Sequence, residues 1–263
     1  MPAPLTLTPL SGIPLIQPGD NLAEIIWQAM ARAGVSLLEG DIVIVASKIV
    51  SKAEGRLVNL TQVQPFPRAV ELAAQVGKDP RLVELILRES NQVLRTRPGV
   101  IIVEHRLGFV CASAGIDHSN VQAVDSTAGQ HGDPEDWVLL LPKNPDASAQ
   151  ALRLSLETAS GARLGVLIID SHGRAWRMGV VGATIGLSGL PGLVDLRGQP
   201  DLFDFRLQIT QVGAADELAA AASLMMGQSA EGTPVVHVRG FPYPLREASL
   251  KELIRPRDQD LFR

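Results

Sequence analysis

The stretch from Arg163 to Gly189 reads RLGVLIID, then SHGRAWRMG, then VVGATIGLSG. Its first third is apolar and branched with no helical period, which predicts a buried strand delivering Asp170 and Ser171 to a sheet edge, where ligands usually sit. A carboxylate and a hydroxyl there can hold a hard cation. Arg174 and Arg177 follow, and Gly179, Gly182, Gly186 and Gly189 would let backbone N–H groups approach an anion closely. These residues describe either a site for metal-bound phosphate or a strand, a polar turn and a loose connection. The flanking sequence has to decide.

Composition removes several classes of function. With 263 residues, 46% of them hydrophobic and 20% charged, the chain can bury a sizeable core as one large domain or two lobes. A net charge of −4 and the lack of a basic run give no global attraction to nucleic acid or to an anionic membrane. An anionic ligand must therefore be met by local positive charge. The single cysteine, Cys111, excludes an internal disulfide and a cysteine-based zinc site, and it suits a reducing compartment. The N-terminus MPAPLTLTPL has no basic n-region or long apolar h-region, and no apolar run approaches about eighteen residues. A cytoplasmic location is expected.

Outward from the opening stretch, the chain reads as strands and helices without a steady βαβ rhythm, which predicts an α+β fold of mixed sheets with packed helices. Leu5–Leu10 is a strand, and Asn21 with Glu24 forms a capping box for a helix that stops at Gly34. Asp41–Ala46 is a buried strand that leads directly into Ser47, Lys48 and Lys52. A serine and two lysines at a strand end are either phosphate ligands or ordinary surface residues. Helices are expected over Arg68–Val76 and from Arg81 to about Asn91, and a hairpin over Val100–Glu104 and Phe109–Ser113. That hairpin empties into Asp117, which is either a metal ligand or a turn cap through Ser119 and Asn120. Residues 125–136 read as an exposed loop and Trp137–Leu141 as a strand. Asp146 is expected to cap a helix ending near Gly161. A strand over Phe205–Val212, a helix over Ala215–Met226, a strand over Pro234–Arg239 and a short helix near Ser249–Ile254 complete the chain.

No Walker sequence, dinucleotide-binding glycine motif, nucleophile elbow or H-E-x-x-H occurs, which disfavours the common nucleotide and hydrolase folds. The five histidines lack ligand spacing, and only His118 and His172 fall near the proposed site.

The strings TPLSGIPLI, PGD, DIVIVASKIVSKAEGRLV, EHRLGFV, AGIDHSNV, LLPKNPDASA, VLIIDSHGRAWRMG and VRGF occur in this order along nearly the whole chain. Together they resemble the coenzyme F420:L-glutamate ligase family, including the N-terminal ligase module of the bacterial two-domain enzymes. The resemblance implies a single catalytic module over residues 1–263, built as two intertwined lobes. It implies a homodimer that uses GTP and Mg²⁺ or Mn²⁺, with room for a monovalent cation. The reaction would join L-glutamate by γ-linkage to coenzyme F420-0 and then to F420-1. Carried over by position, Ile13, Pro14, Leu15, Ile16, Ser47, Lys52 and Asn120 match the GTP-contacting set. The loop Met226, Gly227, Gln228, Ser229, Ala230, Glu231, Gly232 and Thr233 matches the segment that closes over the nucleotide. Asp117, Asp170 and Ser171 match the metal ligands, joined by Gln228, and Asp117, Asp170 and Lys52 carry the catalytic role. Ser171 stands where the family more often has Thr, Asn144 stands where it often has an acid, and the loop over 125–136 is longer than usual. Residues 254–262 resemble the point where the two-domain enzymes pass into a flavin-binding domain, so glutamylation without flavin-dependent reduction is expected.

The implied chemistry agrees with the residues. A carboxylate is a poor acyl donor, so transfer of the γ-phosphoryl group to it comes first, and the glutamate amine then attacks the acyl phosphate. Crowded phosphate charge needs a cation on Asp117, Asp170 and Ser171, helped by Lys52 and an arginine. No side chain stands out as the base for the amine. The acid pair alone would equally serve a metal-dependent phosphohydrolase or a non-catalytic nucleotide-binding module.

Overall fold

The structure, a computed structural model, describes residues 4–118 and 136–261. In chain order its elements are β1 (Thr6–Leu10), α1 (Leu22–Arg32), β2 (Ile42–Ala46), α2 (Ser47–Ala53), β3 (Leu57–Asn59), α3 (Pro67–Val76), α4 (Pro80–Arg88), β4 (Ser90–Arg97), β5 (Val100–His105), β6 (Val110–Ala112), β7 (Trp137–Leu139), α5 (Pro145–Ser160), β8 (Gly165–Arg174), β9 (Arg177–Ser188), β10 (Val194–Asp195), β11 (Gln211–Val212), α6 (Ala214–Met226) and β12 (Val235–Arg239). The class is the α+β arrangement that the sequence leads one to expect.

The β-branched runs of β2 and β8 are buried on both faces because they lie inside a five-stranded sheet of order β1-β12-β2-β8-β9. Only β2 and β8 run parallel; the other pairs are antiparallel. Strand alternation sends Val43, Val45, Val166 and Ile168 to one face, where they pack with α1 and α5. Ile42, Ile44, Leu167 and Ile169 go to the other, against α6. Each such fully buried side chain contributes about 1.5 to 3 kcal/mol of burial free energy. A separate cluster joins α3 and α4 to β5, β6 and β7, next to the three-stranded sheet β4-β5-β6. Phe109 packs against all three clusters and so ties the smaller sheet to the larger one.

Several local expectations are corrected. Helix α4 stops at Arg88, and Ser90–Arg97 pairs along β5 as a strand, where helical periodicity had suggested continuation to Asn91. In Phe205–Val212 only Gln211 and Val212 pair as a strand, with β10; Phe205 and Ile209 are exposed, so their apolar character does not mark core. Asn144, not Asp146, caps α5 by accepting from the Ala147 N–H at 3.2 Å, while Asp146 accepts from the Leu187 and Leu250 backbones. The helix expected near Ser249 is a single 3-10 turn over Leu250–Glu252.

The glycines of the opening stretch also have another purpose. A Cβ on Gly182 would lie 2.4 Å from the Ala219 carbonyl oxygen, and one on Gly186 would lie 2.4 Å from the Pro145 side chain. Absence of a side chain lets α6 and α5 seat directly on β9. Arg174 and Arg177 face each other at the exposed tip of the β8–β9 hairpin. The expected loop lies, apart from Asp136, outside the described residues, as does Asn120. Among the described residues no helix is long and apolar enough to cross a membrane.

Candidate active site

Strand β2 passes into α2 without a connecting residue: Ala46 is extended and Ser47 opens the helix. Ala46 lies opposite Ile169 on the parallel neighbour β8, so the carboxyl ends of the two parallel strands fall together, with Asp170 one residue beyond the pairing. Ser47, only 3% exposed, donates its hydroxyl to Asp170 Oδ1 at 2.6 Å. This is the sheet edge at which open sheets collect ligands.

A third wall comes from the smaller sheet. After β6 the chain turns through Ser113 and Ala114, both at positive φ (50° and 53°), a strained conformation that the surrounding packing holds in place. Gly115 follows at φ 64°, and a Cβ there would lie 2.6 Å from the Leu141 side chain. Asp117 then exchanges both backbone hydrogen bonds with Leu139, which fixes its direction. Its Oδ2 lies 2.7 Å from Lys48 Nζ. Ser47, Lys48, Ser51, Asp117 and Asp170 thus line one small pocket of about 10 Å³, roughly the space of one water.

Aromatic rings brace this pocket. His172 lies on the same face of β8 as Asp170, its Nε2 3.1 Å from Asp170 Oδ2 but outside hydrogen-bond alignment. Phe109 packs on His172 at 5.2 Å and stacks on His105 at 5.1 Å. Burial, helped by the charge of Arg106, pushes His105 down to about 4, and its Nδ1 accepts from the Leu107 N–H. Burial, with the charge of Asp170, pushes the Cys111 thiol up to about 12, so Cys111 is a core residue and no nucleophile. One turn along α2 from Lys48, burial and the Lys48 charge lower the pKa of Lys52 below the usual lysine range.

Ser171 points the other way, as strand alternation requires, and donates to Gln228 Oε1 at 2.9 Å. The amide nitrogen of Gln228 is anchored on Ser223 Oγ at 2.9 Å. The loop after α6 is folded on itself: Gly227 turns at φ 72°, Thr233 Oγ1 donates to the Met226 carbonyl, and Glu231 accepts from the Ser229 N–H at 2.8 Å. That backbone bond and others in the loop hold the Glu231 carboxyl below its usual range. Successive residues of β8 therefore face oppositely, Asp170 into the pocket that Asp117 also lines and Ser171 toward Gln228.

A sequence profile described as F420-0:gamma-glutamyl ligase matches residues 12–240. The Coenzyme F420:L-glutamate ligase of Methanothermobacter thermautotrophicus is 44% identical over 261 residues, which is 98% of this chain and 99% of that protein. The Methanopyrus kandleri protein of the same name is 44% identical over 94% of this chain and 93% of its own, and that of Archaeoglobus fulgidus is 40% identical over 97% and 95%. The chain belongs to the F420-0:gamma-glutamyl ligase family.

Against that membership, the geometry sorts the residues carried over by resemblance. Ser47, Asp117 and Asp170 come together from three separate elements, and Ser171 comes together with Gln228. Ile13–Ile16 do not line this pocket: Ile16 is in the core, Ile13 packs partly beside it, and Leu15 is 77% exposed. Lys48 forms the ion pair with Asp117, and Lys52, which resemblance assigns to the nucleotide, lies one turn further along α2. His172 falls beside the site as its place in the chain leads one to expect, whereas nothing in the sequence marks Phe109, because its link to His172 is made only by the packing of the two sheets. A divalent cation fits the donor set, since carboxylate, hydroxyl and amide oxygens are all hard ligands. Among the described residues no three His, Cys, Asp or Glu side chains gather to form an all-protein cage.

Proposed function

We propose that this chain is a GTP-dependent, GDP-forming ligase that adds L-glutamate by γ-linkage to coenzyme F420-0 and then to F420-1, in the cytoplasm and as a homodimer. The observation that carries the reading is the correspondence, over nearly its whole length, to proteins named for ligation of glutamate to coenzyme F420. The convergence of Ser47, Lys48, Asp117 and Asp170 at a sheet edge supports it, because phosphoryl transfer needs positioning and charge neutralisation more than a dedicated nucleophile.

In this reading the acceptor carboxylate takes the γ-phosphoryl group of GTP, GDP leaves, and the glutamate amine displaces phosphate from the acyl phosphate. Mg²⁺ or Mn²⁺ would supply neutralisation of phosphate charge when bound. Asp117 and Asp170 would hold it in the pocket that both line, and Ser171 and Gln228 offer oxygens on the opposite face of β8. Ser47 holds the Asp170 carboxylate in place through its 2.6 Å hydrogen bond. Lys52, half-buried on α2, supplies positive charge toward the triphosphate. The loop 226–233 covers the nucleotide, with Glu231 keeping it folded.

Exposed Trp176 and Met178 near the β8–β9 tip, at 88% and 97%, offer apolar surface for a second copy to cover. Light scattering coupled to size exclusion tests the dimer. The function is tested by incubating the protein with GTP, Mg²⁺, glutamate and F420-0, and omitting each in turn. Product that requires every component supports the ligase; phosphate release from GTP and metal alone would replace it with a phosphohydrolase.

A further inference from the structure

We propose that Lys48 is a place-holding cation: its ammonium neutralises Asp117 in the ligand-free pocket and moves to a phosphate oxygen when a divalent ion takes Asp117, so that metal and nucleotide bind cooperatively. The inference rests on the metal-and-nucleotide reading of the pocket and goes beyond it by naming what couples the two ligands.

Three observations lead there. Lys48 Nζ lies 2.7 Å from Asp117 Oδ2, and both residues line the pocket shared with Asp170. A divalent ion on that oxygen and an ammonium at that distance repel each other, so one displaces the other. Next, both side chains are about a third exposed, at 32% and 34%, and an ion pair this open to water is weak enough to exchange. Finally, the pocket holds roughly one water, so no phosphate enters until a side chain leaves, and the four-carbon stem of lysine can swing where a strand-held carboxylate cannot. The main chain of Asp117 is held by two backbone bonds to Leu139 and its carboxylate sits on a single methylene, so Lys48, on its longer stem, is the member with the reach to move.

Metal alone must therefore break the Lys48–Asp117 pair without offering Lys48 a new partner, whereas with nucleotide present the phosphate receives it. Linkage makes this reciprocal: metal improves nucleotide affinity by the same factor. A static surface pair would give no such coupling.

The test uses the whole chain and three variants, Lys48→Met, Lys48→Arg and Asp117→Asn, each checked for an unchanged thermal transition. Free Mn²⁺ is titrated by electron paramagnetic resonance without nucleotide, and GTP binding is measured by equilibrium dialysis with EDTA or with saturating Mn²⁺. The solution complex of Mn²⁺ with GTP is common to all variants and cancels in the comparison. Lys48→Met should bind Mn²⁺ alone about two- to fivefold more tightly, the loss of a weak ion pair, and the gain in GTP affinity on adding Mn²⁺ should shrink by a similar factor. Lys48→Arg should keep the coupling. Unchanged or weaker Mn²⁺ binding by Lys48→Met, or an undiminished coupling, overturns the inference while the pocket reading stands. If the unmodified protein binds no Mn²⁺, or Asp117→Asn binds it equally well, the pocket reading itself fails and the inference with it.

Discussion

Ser47 Oγ donates to Asp170 Oδ1 at 2.6 Å, joining residues 123 apart in sequence. The bond follows from β2 ending beside β8: the two run parallel, so the first residue of α2 and the first residue of β8 beyond its pairing with β2 share one edge. Its role is to fix the carboxylate direction. Ser47→Ala should lower ligation about ten- to a hundredfold, the effect of losing a hydrogen bond to a charged group worth about 1.5 to 3 kcal/mol. Steady-state kinetics beside a thermal melt checks this; an equal loss of folded protein would assign Ser47 to stability instead.

Lys52 should govern nucleotide affinity. Lys52→Ala is expected to raise the GTP requirement more than the glutamate requirement, by about 1.5 to 3 kcal/mol at most for a charged contact. Because burial and Lys48 lower the Lys52 pKa, its ammonium is lost at lower pH than that of an ordinary lysine. GTP affinity should then weaken as pH rises through that depressed value, and the same alkaline loss should be missing in the variant. Apparent GTP affinities measured across alkaline pH decide it.

For Gly186 the expectation is a packing effect alone. Gly186→Ala places a methyl 2.4 Å from the Pro145 side chain and should destabilise by about 1 to 3 kcal/mol, as overpacking does. GTP affinity of the folded fraction should stay unchanged. Normal stability with weakened GTP binding would restore the anion-binding reading of these glycines.

Asp41 is buried at the start of β2, accepting from Arg239 at 2.9 and 2.7 Å and lying 2.8 Å from His237 Nε2, which clasps β2 to β12. Burial is the largest influence and raises its pKa, but the bonds from Arg239 and His237 outweigh it and leave the value below 3.8. A depressed folded pKa means stability that is present above the unfolded value and lost as pH falls through the folded one. Asp41→Asn should therefore cost about 3 kcal/mol near neutral pH. The difference from the unmodified protein should shrink below about pH 3.8, the unperturbed value. Urea unfolding at several pH values measures it.

What could be read from the sequence follows from how local each signal is. The β8 run, the Asn21 cap, the helix end at Val76 and the helix stop at Gly161 are written within a few neighbouring residues, and they form as expected. Strand β4, SNQVLRTR, was missed because it alternates weakly and is held by pairing with β5. Residues 205–212 misled in the opposite sense: Phe205 and Ile209 look like core but are exposed. In the site, Asp117, Asp170 and Ser47 stood out as polar groups next to apolar runs, and their meeting in one pocket is what the structure adds. The pairing of Lys48 with Asp117, the brace of Phe109 and His172, and the opposite directions of Asp170 and Ser171 depend on two sheets meeting, which no local pattern encodes.

The central claim is that Asp117 and Asp170 act as one unit in glutamate ligation. The most direct measurement is a double-mutant cycle on kcat/KM for ligation with Asp117→Asn, Asp170→Asn and both together, at fixed Mg²⁺, in variants with unchanged melting. Each single change should cost at least about tenfold, and the double variant should be little worse than the poorer single one, because residues that work as a unit are non-additive. Losses that multiply, or a single variant with full activity, would contradict a shared site.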